Sequence, residues 1–152
     1  MADPNPNRLR AAHDALWALV GTLFAGDTLH RNPSGLKAPA AKTDGLAGYV
    51  AQHDDNLPET VGVVCGPIYD LKATAEVTIA FSGKTKDDRQ AAAYVKLEML
   101  KTAIAADRQL GGAVDYADIA GAQPTDVPDS DWMAGGLYVQ IGLLFGAPTP
   151  AG

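Results

Sequence analysis

The stretch from Thr85 to Gly112, TKDDRQAAAYVKLEMLKTAIAADRQLGG, limits the fold more than any other part of the chain. Its spacing predicts one long amphipathic helix with both ends marked. Thr85 is placed to cap the N-terminus, with Asp88 three residues on as a capping-box partner and Asp87 near the positive end of the dipole. Gly111 and Gly112 provide the left-handed exit that stops a helix. Between them Ala93, Leu97, Leu100 and Ile104 recur at steps of four, three and four, which is one helical face. Ala92, Val95, Met99 and Ala103 form a second apolar line on the adjoining side. The apolar arc is therefore wider than contact with a single sheet requires. Its outer part needs cover from another helix of the chain or from another subunit.

The rest of the chain supplies the partner for that helix. Asn5-Pro6 reads as N-cap and first helical position. Leu9, Ala12, Leu16, Leu19 and Leu23 then mark an N-terminal helix to about Phe24, which Gly26-Asp27 ends. Thr28–Arg31 reads as a short strand, followed by the turn Asn32-Pro33-Ser34-Gly35. Residues 36–60 show no sustained period and hold the acidic knot His53-Asp54-Asp55, with Tyr49-Val50-Ala51 as a short strand inside. A connection of that length in a compact domain is usually a binding loop or a mobile one.

Val61–Cys65 is a short β-type run closed by Gly66-Pro67. The clearest strand follows, in which Ala73, Ala75, Val77, Ile79 and Phe81 alternate with Lys72, Thr74, Glu76, Thr78 and Ala80. Ala113–Ile119 is another strand. Ala120–Ala134 reads as a second irregular acidic stretch with Pro124, Asp126, Pro128, Asp129 and Asp131. Leu137, Val139, Ile141, Leu143 and Phe145 alternate with Tyr138, Gln140 and Gly142 in a last strand. The expected fold is α+β: an antiparallel sheet of about four strands, the long helix and the N-terminal helix on one face, and long loops at the sheet ends. One domain spans residues 1–152, with 1–6 and 147–152 as flexible tails.

Composition excludes some functions. A net charge of −6 with scattered basic residues argues against a duplex-binding surface. The single cysteine allows no internal disulfide. The start, MADPNPNRLR, lacks the apolar core of a secretory leader, and no apolar run approaches the roughly 20 residues of a membrane-spanning helix. Gly83-Lys84-Thr85 imitates the end of a phosphate-binding loop, but the glycine required five positions earlier is Thr78, so Thr85 reads as a helix cap. His13, His30 and His53 stand apart without ligand spacing, and Cys65 lies in an apolar run that suits an inert buried thiol. The carboxylates Asp54-Asp55 and Asp126–Asp131 read as solvated loop charge. The expectation is a protein without catalytic residues, metal or cofactor.

One block then carries a specific resemblance. Ala105-Ala106-Asp107-Arg108-Gln109-Leu110-Gly111-Gly112 resembles the A-x-D-R-T-L-G-G helix end of small tail proteins from long-tailed phages and gene transfer agents, with Gln109 in place of the usual Thr. The front of the chain is similar as well, since Leu29-His30-Arg31-Asn32-Pro33 stands where those proteins carry Y-R-N. The chain looks like a tail terminator, also called a tail completion protein, although the region Gly35–Asp55 is longer than in many relatives. Some relatives carry an acyl-CoA transferase label, and these residues offer no CoA-phosphate site for it.

The resemblance implies a structural virion protein of the tail neck, assembled in the host cytoplasm. Copies would form a homo-oligomeric ring, commonly a hexamer, that caps the tail tube and stops its polymerisation. The ring would meet the tail tube protein on one side and the head-tail connector or stopper protein on the other. DNA would only pass through the lumen, and no membrane is involved. Candidate interface residues are Val95 and Met99 on the outer helix line, Trp132 and Met133 at the end of the acidic loop, Tyr138 on the last strand, and Tyr49, His53, Asp54 and Asp55 within the long loop Gly35–Asn56. The alternatives are another neck component, such as a head-completion or stopper adaptor, and a small acyl- or nucleotide-handling enzyme.

Overall fold

The structure is a computed structural model, and it describes residues 7–32, 47–54, 57–64, 68–82, 86–127 and 134–149. The elements run α1 (Arg8–Leu23), β1 (Thr28–Arg31), β2 (Ala47–His53), β3 (Glu59–Val64), β4 (Ile68–Ser82), α2 (Lys86–Ala106), a 3-10 turn (Leu110–Gly112), β5 (Tyr116–Val127) and β6 (Ala134–Ala147). The fold is α+β, with both helices against one face of the sheet.

The sheet is larger than the four strands expected, and it is mixed. Among the described residues it has six strands in the order β1-β2-β4-β6-β5, with β3 also on β4. β1 runs parallel to β2, and all the other pairings are antiparallel. The extra strands come from segments whose sequence carries no long alternation. β2 is interrupted by small and polar residues, yet pairs from Ala47 opposite Ser82 to His53 opposite Glu76. β5 continues through Ala120–Val127, a stretch that composition assigns to loop. Backbone pairing to β6 holds it in place, and a bulge between Ile119 and Gly121 shifts the face that each side chain takes.

β4 organises the sheet because it is long enough to hold two partners in series on one edge. β2 occupies Glu76–Ser82 and β3 occupies Ile68–Lys72, while β6 pairs along Tyr69–Phe81 on the other edge. Leu71, Ala73, Ala75, Val77, Ile79 and Phe81 of β4 then share one face with Leu137, Val139, Ile141, Leu143 and Phe145 of β6. That face meets Ala12, Leu16 and Val20 of α1, with Phe24 just beyond it, and Ala93, Leu97, Leu100 and Ile104 of α2. The period-two and period-3.6 patterns meet in a single core.

Several boundaries differ from expectation. α1 is capped by Asn7, whose side chain accepts from the Arg10 amide at 2.9 Å, so Asn5-Pro6 is not the cap. α2 ends at Ala106, before Gly112, because Leu110 must turn inward. Ala147 is a buried strand residue and not the start of a flexible tail. The expected Thr85 cap, the Gly83-Lys84 pair and Cys65 lie outside the described residues.

The opposite face of the sheet is only partly polar. At one end Tyr49, Ala51 and Ala80 form a small buried cluster, with Thr78 buried beside it. His30 stacks on Tyr49 with ring centroids 5.1 Å apart. Gly136 sits opposite Ala80 on this side, and a Cβ there would collide with the Ile79 carbonyl and lie 3.0 Å from the Ala80 Cα. Because both obstacles are backbone, Gly136→Ala is expected to cost about 1–3 kcal/mol. Urea denaturation would check this, and an unchanged midpoint would show that the two strands can part at no cost.

Candidate interface surfaces

The Asp107–Gly112 block is a built turn held by Asp107, Arg108 and Leu110. The Asp107 amide donates to the carbonyls of Ala103 and Ile104, both at 3.2 Å, which closes α2. The Asp107 carboxylate accepts from the Gly111 amide at 2.8 Å. Gly111 and Gly112 take φ of 70° and 93°, and Leu110 takes 47° to bury its side chain beside α1. Left-handed backbone of this kind favours glycine at the two positions whose side chains have no packing task. Arg108 ties the turn to β5: Nη1 donates to the Ala117 carbonyl at 3.2 Å and to Asp118 Oδ1 at 2.9 Å, and the Ala117 amide donates back to the Arg108 carbonyl at 2.7 Å. Its guanidinium also lies 5.3 Å from the Tyr116 ring centroid. The D-R-x-L-G-G pattern thus sets the angle at which α2 hands over to β5.

The outer side of α2 carries the exposed large apolar residues found on the described helices. Val95 is 62% exposed, Tyr94 45% and Met99 37%, while Leu97, Leu100 and Ile104 on the inner side are at most 5% exposed. The stripe runs from Ala91 to Ala106 as a shallow groove, with Leu23 of α1 along its flank. Of the expected interface positions, Val95 is largely uncovered and Met99 partly so. Tyr94 belongs with them, and its helical position next to Val95 was the available signal.

The acidic knot has a different setting. Asp54, at the end of β2, takes Gln52 Nε2 and Arg31 Nε, both at 2.8 Å, and a longer contact from Asn32 Nδ2 at 3.5 Å. Its own amide donates to Asn32 Oδ1 at 2.8 Å. His13 Nδ1 of α1 lies 3.2 Å from Asp54 Oδ1, an ion-pair distance although off the line of a good hydrogen bond. Gln52 also donates to the His13 carbonyl at 3.1 Å, and Arg31 reaches Asp14 Oδ1 at 2.7 Å. Burial by itself pushes the Asp54 carboxyl upward, but the close contact with His13 and the hydrogen bonds from Gln52 and Arg31 outweigh it and hold the carboxyl well below the usual carboxylate range. The network ties β1 and β2 to α1. No sequence spacing announces it, because its members come from three separated segments.

The remaining expected interface positions divide. Tyr49 is buried against its own sheet, and His53 is half-buried opposite Glu76. Tyr138 is half-buried on the face away from the helices, in register with Thr78. Asp55, Trp132 and Met133 lie outside the described residues, as do residues 35–46 of the long loop and Pro128, Asp129 and Asp131 of the acidic stretch. Four exposed apolar residues escaped the sequence reading: Leu57, Val61, Val63 and Ile68, in or beside the β3–β4 hairpin. Their signal was weak, since a short Val-rich run reads as core strand.

No described helix is long and apolar enough to cross a membrane, and among the described residues no group of three potential ligands could hold a metal ion. No protein-family model matches the chain, and no curated protein matches it.

Proposed function

We propose that this chain is a structural virion protein whose copies close into a ring, capping the tail tube and joining the tail to the head connector. One observation carries the reading: α2 is apolar on two sides, and the described residues of its own chain cover only one of them. An apolar stripe wider than the helix's own sheet covers calls for a second partner. For α2 that partner is a neighbouring copy.

Two further features support it. The A-A-D-R-Q-L-G-G block resembles the corresponding turn of tail terminators, and in this chain it fixes the packing of the helix that carries the open stripe. The net charge of −6 suits a lumen through which DNA passes without being held. In this proposal one face of the ring meets the tail tube protein, the other meets the connector or stopper protein, and no cofactor takes part.

The test is the mass of the purified chain by light scattering, followed by its effect on tube growth. A closed assembly, commonly a hexamer, is expected, and it should shorten tubes when added to polymerising tube protein and be found at their ends. Copurification with portal-side protein and not with tube protein would move the assignment to a stopper adaptor. A chain that stays monomeric at every concentration and leaves tube length unchanged would sink the proposal.

A further inference from the structure

The β3–β4 hairpin is the second apolar element that the described residues leave open. Leu57 is 92% exposed, Val63 66%, Val61 52% and Ile68 48%. Val63, opposite Tyr69, is on the helix side of the sheet, and Ile68 is on the other side with Asp70, so the hairpin is apolar on both faces. Thr60–Val64 carries no charge. Among the described residues β3 pairs only with the first part of β4, and Val61 is the extra residue of its bulge. An uncharged apolar strand at a sheet margin invites association unless something covers it.

We propose that the β3–β4 hairpin of one copy lies in the α2 groove of the next, which makes this head-to-tail contact the joint of the ring; the inference rests on the ring assignment above. The two surfaces match in length. A six-residue strand spans about 20 Å, and the stripe from Ala91 to Ala106 spans about 22 Å. They do not cover one another within a chain, because both stand exposed in the same molecule. β3 lies on the β2 side of β4, whereas α2 rests over β4 and β6.

A second α2 is a poorer occupant. Two copies of the stripe related by a two-fold axis would meet near its middle, at Glu98, and would set one carboxylate against its own copy. Glu98 is largely solvent-exposed and pairs with Lys101 at 2.9 Å, a residue of its own helix. An isologous contact would also close at two subunits and leave every hairpin bare. The run Thr60–Val64, which carries no charge between Glu59 and the β4 residues Asp70 and Lys72, can meet Glu98 without repulsion. Each subunit then offers one hairpin and one groove, which is the arrangement a ring needs.

The full-length chain tests this through two single variants, Val63→Lys on the hairpin and Val95→Lys in the groove. Light scattering should show each as a monomer, with subunit association weakened at least tenfold and a melting temperature close to the wild type. Mixed in equal amounts, the two variants should give a dimer of one copy of each. In that dimer the intact hairpin of the Val95→Lys chain fills the intact groove of the Val63→Lys chain, and both remaining ends are blocked. Should either variant fail to fold, Leu57→Lys and Met99→Lys replace them. If either variant assembles as the wild type does, or the mixture gives no dimer, the hairpin contact is overturned while a wild-type ring leaves the functional proposal standing. A monomeric wild type would overturn both.

Discussion

Asp54→Ala is expected to lower the stability of the folded subunit by about 3 kcal/mol at neutral pH, read as a fall in the urea midpoint. The carboxylate side chain is only 9% exposed, and its removal takes away the acceptor of Arg31 Nε and one of the two acceptors of Gln52 Nε2, and empties the space beside the His13 ring. The low end of the range for breaking a buried pair applies, because Arg31 is 29% exposed and keeps Asp14 at 2.7 Å. The effect should depend on pH in one direction. Asp54 ionises more readily folded than unfolded, so its contribution is complete above the ordinary carboxylate range and is lost as the pH falls through that range toward the folded value. The gap between wild type and Asp54→Asn should therefore be widest above about pH 5 and close on acidification. A gap that stays constant down to acid would mean that the carboxylate contributes through shape and not through charge.

How much of this was legible in the sequence follows from the range of each interaction. Helical and strand periods are local, and they located the buried face of α2, Ala12 and Leu16 on the inner face of α1, and the alternation of β4 and β6. The expected α1 line through Leu19 and Leu23 is only half-buried, and Val20 and Phe24 complete the inner face instead. Pairing is not local. β1 lies parallel to β2 through backbone bonds that no side-chain pattern in Thr28–Arg31 records, and β5 runs on to Val127 because β6 offers it partners as far as Ala134. The same limit applies at the candidate surfaces. Val95 and Met99 were visible because a helix face repeats within the segment, whereas Val61 and Val63 read only as part of a short β-type run, and their exposure follows from β3 pairing beyond the cover of the helices. Asp54 read as loop charge because its partners are remote in the chain, Arg31 at 23 residues and His13 farther still.

Leu100→Ala is the substitution that separates folding from assembly. Leu100 is fully buried on the inner side of α2, packed in the cluster that α2 shares with β4 and β6. Truncation opens a gap in a close-packed site, and the loss is expected at about 2–5 kcal/mol, depending on how far Leu97 and Ile104 can close it. For a domain of this size each kcal/mol moves the melting temperature by about 2–4 °C, so a fall of roughly 10 °C is the expected reading. Met99→Ala, one position along on the same helix, removes a side chain that projects outward, so the isolated subunit should change by only about 0.5 kcal/mol. Its effect should appear in the concentration at which subunits associate. If the two variants instead destabilise the isolated subunit equally, the outer stripe is part of the subunit's own core, and the reading of α2 as a helix completed by a neighbour fails.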